Sequence, residues 1–574
     1  MTQPIMDFYV AGNGAQNGAL NGGYDVAALA AAIKSYEGEK NSREITHIET
    51  HISHVFLTEK FAYKLKKSVR FEFLDFTTPE LRRQACNREV ELNRRMADDV
   101  YLGVRNLCRE DNSRLVIDGS GAIIDSIVKM RRLPSNLMMD EKIASNSIES
   151  KDIDSLIQAL SKFYAGASRV KMTAAEFVDN LRNQIKANFV ELFRDTHCLD
   201  QDILRRIRNR QLQFLEFNSD LWANRVGQSM IVDGHGDLRP EHICLEPIPK
   251  IFDCVEFSDS FRHLDILDEL CFLALECERL GRDDIGKALL KSQNHIVNEG
   301  QVEGLIQFYM SYRACVRAKV ALLRSLQSAG EDRMRALDLA NKYLDLADRS
   351  MGCPSKPLCL IVRGLIGSGK STIARRLSDR LGMTLIQSDR IRREIYSQVE
   401  ASEAYGEGLY TAGSRNQVYE EILESAVASL SSRTSVILDA CFLQKELQQR
   451  VQYQVDAMGV RLIIVNCECP QEVAVTRVLE RMKDPSCLSD ARPDHWLDQA
   501  RDDEGVIPGV PTISINTAGA GPDALCDELI TSIKNIVIGE SQPSSRAKQE
   551  PYCGTNAEVS RSFETSRLAT LARV

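Results

Sequence analysis

Residues 358–371 read Leu-Cys-Leu-Ile-Val-Arg-Gly-Leu-Ile-Gly-Ser-Gly-Lys-Ser, an apolar run followed by a glycine-rich loop and a Lys-Ser pair. So short an apolar run is typical of a buried strand, and the residues after Ser371 continue as a helix. Glycines let backbone N–H groups turn inward around phosphate oxygens at a helix N-terminus, whose partial positive charge favours anions. The stretch therefore predicts a phosphate-binding loop for ATP, in which Lys370 reaches the β- and γ-phosphates and the Ser371 hydroxyl holds Mg²⁺. The predicted nucleotide-binding residues of this loop are Gly364, Gly367, Ser368, Gly369, Lys370, Ser371 and Thr372.

Two aspartates follow strand-like runs near this loop. Asp439 ends the apolar run 435–438, and an acid at the tip of a buried strand beside the loop can organise magnesium. An aspartate at a strand end also occurs as a simple turn residue. Asp389 lies in the segment 387–393, at the edge of an open α/β sheet where ligands bind. It can orient or deprotonate an acceptor hydroxyl, and the alternative is a Ser/Asp helix cap followed by a basic first turn.

A pair of arginines provides the other catalytic candidates of this half. Arg477 and Arg481 stand four residues apart, on one face of a predicted helix. Arginines close to a γ-phosphate spread the charge of the transition state, so both are candidate catalytic residues. Exposed salt-bridge partners are the ordinary alternative.

The chain divides where Gly and two prolines interrupt a helical region at 351–357, which we interpret as a linker. Before it, strand-like patterns at 54–58 and 61–66 precede long helical stretches at 150–225 and 263–350. After it, strands and helices alternate, which predicts βαβ units and a parallel sheet. The predicted organisation is a flexible leader with a short helix (1–40), an N-terminal domain (41–350), the linker (351–357), a P-loop domain (358–540) and a disordered tail (541–574).

The C-terminal features together resemble the small P-loop kinases related to adenylate, gluconate and polynucleotide kinases. The resemblance covers roughly residues 358–535. It implies phosphoryl transfer from ATP, with the Ser388–Arg392 segment meeting the acceptor and an Arg-bearing lid around 477–492 closing on ATP. The substrates of that family vary widely, so no particular acceptor is implied, and plain nucleotide hydrolysis remains an alternative.

A second motif lies in the N-terminal half. The sequence His-Gly-Asp-Leu-Arg-Pro-Glu-His at 235–242 follows a short apolar run and precedes Ile251-Phe-Asp253. An aspartate in a tight loop can accept the proton of a hydroxyl, and a second one can ligate Mg²⁺ that bridges ATP phosphates. This arrangement resembles the loops of aminoglycoside phosphotransferases and related protein-kinase-like folds, over roughly residues 45–345.

That resemblance implies a bilobal α+β fold with ATP and Mg²⁺ as cofactors, and it assigns individual roles. Asp237 would be the catalytic base and Asp253 a metal ligand, while His242 stands where the family usually has a metal-binding asparagine. Lys64 would contact the α- and β-phosphates with Glu89 as its partner, although Lys66 lies on the same strand face. The whole chain is similar to two-part proteins that join a phosphotransferase-like domain to a P-loop, AAA-type or nucleoside-kinase-like, ATP-binding domain.

Two departures keep a second interpretation open. Neutral imidazole is a poorer Mg²⁺ ligand than an amide oxygen, and the segment 51–60 ahead of Lys64 contains no glycine. The leading hypothesis is a Mg²⁺-dependent kinase that phosphorylates a hydroxyl of a small molecule. The first alternative is an ATPase or sensor with a catalytically inactive N-terminal domain, and the second is a nucleic-acid end kinase.

Bulk composition limits the remaining classes. A net charge of -9 argues against sequence-independent nucleic-acid binding, so nucleic acid is an unexpected partner. No window approaches the roughly 18 apolar residues of a membrane span. The 16 cysteines form no Cys-x-x-Cys pair, so neither zinc nor thiol redox chemistry is indicated. We expect a cytoplasmic enzyme with a small-molecule acceptor, and the sequence does not give its oligomeric state.

Overall fold

The computed structural model describes residues 25–38, 45–50, 52–71, 74–111, 113–194, 198–292, 302–351, 357–396, 411–483 and 492–539. The predicted tail (541–574), most of the predicted leader and the centre of the predicted linker lie outside these ranges. The short helix expected in the leader is confirmed as α1 (Val26–Glu37), whose first turn is capped by the side chain of Asp25.

The N-terminal part begins with an antiparallel sheet. Its strand order is β1-β2-β3-β8-β6-β7, and a separate small hairpin, β4-β5, follows β3 in the chain. The strands are β1 (Thr46–Glu49), β2 (Ser53–Leu57), β3 (Phe61–Lys66), β4 (Arg70–Phe71), β5 (Leu74–Asp75), β6 (Tyr101–Arg109), β7 (Leu115–Ile117) and β8 (Ala122–Arg131). Helix α2 (Pro79–Asn93) packs against this sheet, and Thr78 caps its N-terminus. The two strands predicted near residues 54–66 are therefore confirmed.

Two short strand pairs flank the loop that carries the second motif. They are β9 (Ile231–Asp233) with β12 (His263–Asp265), and β10 (Ile243–Cys244) with β11 (Lys250–Ile251), both antiparallel. The sequence predicted that residues 263–265 begin a long helix. They form a strand instead, because their backbone groups pair with β9, and the helix starts only at Ile266.

The rest of the N-terminal part is helical, around a core that includes the fully buried Trp222. Its helices are α3 (Met139–Ala144), α4 (Ser150–Gly166), α5 (Ala174–Leu192), α6 (Gln201–Phe217), α7 (Ser219–Gly227), α8 (Asp259–Arg262), α9 (Ile266–Arg279), α10 (Asp283–Ser292), α11 (Val302–Gln327) and α12 (Gly330–Ser350). None of the helices in the described part of the chain has the length and apolarity needed to cross a membrane.

The C-terminal part contains a five-stranded parallel sheet with the order β14-β15-β13-β16-β17. The strands are β13 (Leu358–Arg363), β14 (Thr384–Gln387), β15 (Val436–Asp439), β16 (Arg461–Glu468) and β17 (Thr512–Asn516). The helices are α13 (Lys370–Leu381), α14 (Ser388–Ile395), α15 (Ala412–Ser431), α16 (Lys445–Ala457), α17 (Gln471–Arg481), α18 (His495–Asp502) and α19 (Pro522–Gly539). Apolar clusters cover both faces of the sheet, which is why its strands read as continuous apolar runs. The predicted parallel α/β arrangement is confirmed.

Helix α6 joins the two parts. Its buried Asn209 donates a 2.8 Å hydrogen bond from Nδ2 to the carbonyl oxygen of Leu381, the last residue of α13. Arg380 of α13 forms an ion pair with Glu216 of α6, with an N···O distance of 2.6 Å. Phe217 packs against the apolar core of the C-terminal sheet. The helix that follows the glycine-rich loop is thus anchored to the N-terminal part at its far end.

Candidate active site

The glycine-rich loop joins β13 to α13 at the carboxyl edge of the parallel sheet. Gly367 has a φ of +74°, and a Cβ there would lie 2.4 Å from the carbonyl oxygen of Ala474. Gly364 has a φ of +143°, and a Cβ there would lie 2.3 Å from the carbonyl oxygen of Cys467. Only glycine tolerates both the backbone conformation and the close approach. These two glycines therefore allow the backbone conformation of the predicted phosphate-binding loop.

Lys370 and Ser371 begin α13 and face a cavity in front of the loop. Gly369 precedes them in the left-handed region, and its carbonyl oxygen accepts a 3.1 Å hydrogen bond from the N–H of Thr372. Burial by itself lowers the pKa of Lys370, but Cys441, Asp439 and Asp389 raise it above its usual value. Lys370 therefore places a positive charge beside the loop, which suits the binding of a phosphate.

Asp439 lies at the end of β15, on the same side of the sheet. Its carboxylate is buried, and Oδ2 accepts a 2.9 Å hydrogen bond from Nε2 of Gln387. Oδ1 is also buried and has no hydrogen-bond partner within the described structure. Burial raises the pKa of this carboxyl, while Lys370, Gln387 and the neighbouring Ser371 hydroxyl oppose the rise. A buried carboxylate oxygen without a partner is an incomplete site, which a bound cation or donor would complete.

Magnesium fits this end of the cavity. Ser371 and Asp439 both line it and offer oxygen ligands, which Mg²⁺ prefers. Among the described residues no group of three or more His, Cys, Asp or Glu side chains is arranged to hold a metal by itself.

The cavity has a volume of about 360 Å³ and extends from the loop toward α14, α15 and α16. Asp389, in the first turn of α14, lines it together with Arg392, and the two form a 2.6 Å ion pair. The Asp389 side chain is 34% exposed. The structure therefore brings the predicted acceptor-binding aspartate into the cavity that holds Lys370, Ser371 and Asp439.

The two predicted catalytic arginines have different positions. Arg481 lines the cavity. Arg477 lies behind the loop, where its guanidinium donates to the carbonyl oxygen of Gly367 at 3.4 Å and to Oγ1 and the carbonyl oxygen of Thr517 at 2.9 and 2.7 Å. Thr517 in turn donates to the carbonyl oxygen of Ser368 at 2.8 Å. Arg477 thus supports the loop backbone through Gly367 and Thr517, and the approach of its guanidinium to a γ-phosphate stays a prediction.

In the N-terminal part, the predicted lysine, glutamate and aspartate meet. Nζ of Lys64 lies 2.9 Å from Oε1 of Glu89 and 2.6 Å from Oδ1 of Asp253. Asp253 has a φ of +62°, a strained backbone conformation of the kind that often occurs at functional sites. Burial would raise the pKa of Asp253, but Lys64 and His242 hold it well below its usual value. Lys66, on the same strand face, is fully buried between Glu89 and Glu256.

Asp237 and His242 lie beside this ion-pair cluster. Asp237 forms an ion pair with Arg239 at 2.9 Å, and Nδ1 of His242 is 2.9 Å from the Asp237 carbonyl oxygen. Nε2 of His242 is 3.6 Å from Oδ2 of Asp253. The Asp253 carboxylate thus faces Lys64 through one oxygen and an imidazole through the other. Magnesium prefers oxygen ligands, so the His242 imidazole fits it poorly, whereas the Asp253 carboxylate offers oxygens that here face Lys64 and His242.

A carboxylate that the sequence analysis did not identify holds the loop around Asp237. Glu269 of α9 accepts hydrogen bonds from the backbone N–H groups of His235, at 2.8 Å, and Gly236, and from the hydroxyl of Tyr164 at 2.8 Å. Burial raises the pKa of Glu269. A small cavity of about 90 Å³ opens beside Asp237. No local motif marks Glu269, because its partners are backbone groups distant in the sequence.

Comparisons with known proteins give a family match for the C-terminal part and relatives that align with most of the chain. A family described as an AAA domain matches residues 359–502, which confirms the predicted P-loop domain. Uncharacterized proteins of Mycobacterium tuberculosis and Mycobacterium bovis are 31% identical over 446 residues, which cover 75% of this chain and 85% of each relative.

Among solved structures, a gluconokinase from Sinorhizobium meliloti is 15% identical with a TM-score of 0.25, covering 33% of this chain and 100% of that chain. An APS kinase from Mycobacterium tuberculosis, in complex with AMPPNP and APS, is 18% identical with a TM-score of 0.23, covering 32% of this chain and 99% of that chain. Likenesses at this level carry no argument about the activity of this chain.

Proposed function

The chain belongs to the same family as these mycobacterial proteins, and we propose that it is an ATP- and Mg²⁺-dependent kinase of a small molecule. The P-loop domain carries the catalytic centre, and the acceptor group is a hydroxyl. The observation that carries the proposal is the single cavity shared by Lys370, Ser371, Asp439 and Asp389. A phosphate-binding loop with an acid positioned in front of it has the parts that phosphoryl transfer requires, since positioning and charge neutralisation supply most of the catalysis.

The chain's own groups have distinct tasks in this reaction. Lys370 and the loop N–H groups bind the β- and γ-phosphates of ATP. Asp389 accepts the proton of the acceptor hydroxyl. The hydroxyl oxygen of the acceptor bonds to the γ-phosphorus as the bond between the γ-phosphorus and the bridging oxygen of ADP breaks. Arg481 stabilises the negative charge on the transferred group. Ser371 and Asp439 would hold Mg²⁺, which would supply neutralisation of the phosphate charge.

For the N-terminal part we propose a protein-kinase-like fold. The antiparallel sheet backed by α2, the contact of Lys64 with Glu89 and the strained Asp253 support it. The poor fit of magnesium at His242, and the pairing of Asp253 with Lys64, favour a domain that recognises a ligand without transferring phosphate. The chemistry then resides in the P-loop domain alone.

Tracing the γ-phosphate of labelled ATP into a metabolite extract tests both proposals. Wild type is compared with Lys370→Ala, with Asp237→Ala and with Lys342→Ala, a matched control at an exposed lysine of α12 that forms an ion pair with Asp338. We expect a labelled small molecule from wild type, from Asp237→Ala and from the control, but none from Lys370→Ala.

Each other outcome selects a different function. Loss of the labelled product in Asp237→Ala would make the N-terminal part a phosphotransferase. Release of free phosphate alone, sensitive only to Lys370→Ala, would make the protein an ATPase switch. Label on 5′-hydroxyl oligonucleotides and on no small molecule would make it a nucleic-acid end kinase.

A further inference from the structure

The charge of the C-terminal cavity is opposite to that of the whole chain. The chain has a net charge of -9, yet seven Lys and Arg side chains and only four Asp and Glu side chains of the described residues line the cavity. An excess of positive charge in a partly enclosed space attracts anions more strongly than the same charges on an open surface.

This excess reaches well beyond the phosphate-binding loop. Besides Lys370 and Arg481, three arginines that line the cavity come from three different helices: Arg392 from α14, Arg415 from α15 and Arg450 from α16. A basic run along one helix is usually a solvated face. Convergence of arginines from three separate helices on one cavity is instead an arrangement produced by the tertiary structure.

The side chains of two of these arginines are held in place. Arg392 is only 12% exposed and forms an ion pair with Asp389, the proposed base. Arg450, 35% exposed, is held by Glu420 of α15, which does not line the cavity. A guanidinium held in this way presents a planar fork that matches a carboxylate or a phosphate.

We infer that the acceptor of this centre carries an anionic group, a carboxylate or a phosphate ester, in addition to the hydroxyl that is phosphorylated. The inference rests on the proposed kinase function. Arg392, Arg415 and Arg450 bind the anionic group, and this contact presents the hydroxyl to Asp389. An anionic group adds charged hydrogen bonds to these guanidinium groups, which a neutral acceptor of the same size does not. The volume of about 360 Å³ suits a small metabolite and not a polymer.

A matched panel of acceptors tests the inference with the full-length protein and labelled ATP. It contains hexoses, the corresponding sugar acids and hexose phosphates, and nucleosides with their monophosphates. We expect phosphorylation of anionic members and at least tenfold lower kcat/KM for their neutral counterparts. The sugar acids and the phosphate esters distinguish the two sources of negative charge.

Variants assign the effect to the arginines. Arg415→Gln and Arg450→Gln should each raise KM for the anionic acceptor about 10- to 100-fold, as expected for the loss of one charged hydrogen bond. The kcat should change little, and Arg415→Lys should recover part of the affinity because it restores the charge but not the fork. Arg393→Gln, at an exposed arginine of α14 that does not line the cavity, is the control.

The results separate this inference from the proposed function. Neutral and anionic acceptors used equally well, with activity still lost in Lys370→Ala, would refute the anionic acceptor and leave the kinase intact. Arginine variants that reduce kcat for neutral and anionic acceptors alike would also refute it. If no panel member receives phosphate while ATP hydrolysis depends on Lys370, the kinase function and the inference both fail.

Discussion

Lys64 and Lys66 stand on one face of β3, and the structure gives them different tasks that a pair of substitutions can separate. Lys66 is fully buried, with Nζ 2.6 Å from Oε2 of Glu89 and in contact with Glu256. Lys64 is 12% exposed and reaches Asp253, whose side chain is 30% exposed. We predict that Lys66→Met chiefly lowers stability and that Lys64→Met chiefly removes any nucleotide binding by the N-terminal part.

The expected loss of stability for each substitution depends on the charged groups that remain unpaired after it. Lys66→Met leaves the buried carboxylate of Glu256 without its cation and leaves Glu89 with Lys64 alone. Breaking a buried pair in this way costs about 3–5 kcal/mol. Lys64→Met leaves Glu89 paired with Lys66 and leaves Asp253 partly solvated, so we expect a cost of about 1–2 kcal/mol.

The loss of stability in Lys66→Met should also depend on pH. In the wild type, burial raises the pKa of Glu256 against the opposing effect of Lys66. Without Lys66 the pKa of Glu256 rises further, because its buried carboxylate loses the positive charge that opposes protonation. A group with a raised folded-state pKa stabilises at low pH and loses that contribution as pH rises, so the deficit should be larger at pH 8 than at pH 5.5.

The assay uses the two tryptophans of the chain. In a Trp496→Phe background, the fluorescence of buried Trp222 reports unfolding of the N-terminal helical core in urea. Equal midpoints for Lys66→Met and wild type, or a larger loss in Lys64→Met than in Lys66→Met, would refute this assignment of the two lysines.

Three further predictions concern the loop, the contact between the two parts and a buried histidine. Gly367→Ala should reduce ATP affinity, measured by calorimetry, at least tenfold, because the added methyl group would lie 2.4 Å from a carbonyl oxygen of α17. Gly519→Ala is the control, and it should bind ATP like wild type because there is open space around that position. Asn209→Ala should destabilise by about 1–3 kcal/mol in urea unfolding, since it leaves the buried carbonyl of Leu381 without its donor, and an unchanged midpoint would contradict that bond. Burial lowers the pKa of His235 to about 3 from its usual 6.5. On acidification the histidine of the unfolded state therefore binds a proton before that of the folded state. The contribution of His235 to the free energy of unfolding is fully present above pH 6.5 and falls by about 1.4 kcal/mol per pH unit between pH 6 and 5. A His235→Gln variant whose free energy of unfolding has the same pH dependence would refute this.

The sequence by itself determined the elements whose signals are local. The loop at 364–371 could be identified because adjacent glycines, a lysine and a serine follow one apolar strand, and each has its task within a few residues of the others. The parallel sheet followed from the alternation of short apolar runs with helical patterns. Asp439 and Asp389 could be placed at one edge because the ends of parallel strands meet there.

Only the tertiary structure decided what depends on partners distant in the chain. Residues 263–265 are a strand because they pair with β9, and no local pattern contains that pairing. Arg477 supports the loop because Thr517, from the end of the sheet, meets it there. The arginines of α15 and α16 face one cavity because their helices pack together at one edge of the sheet. Such roles arise from packing and long-range charge pairing, which the chain acquires only when it is folded.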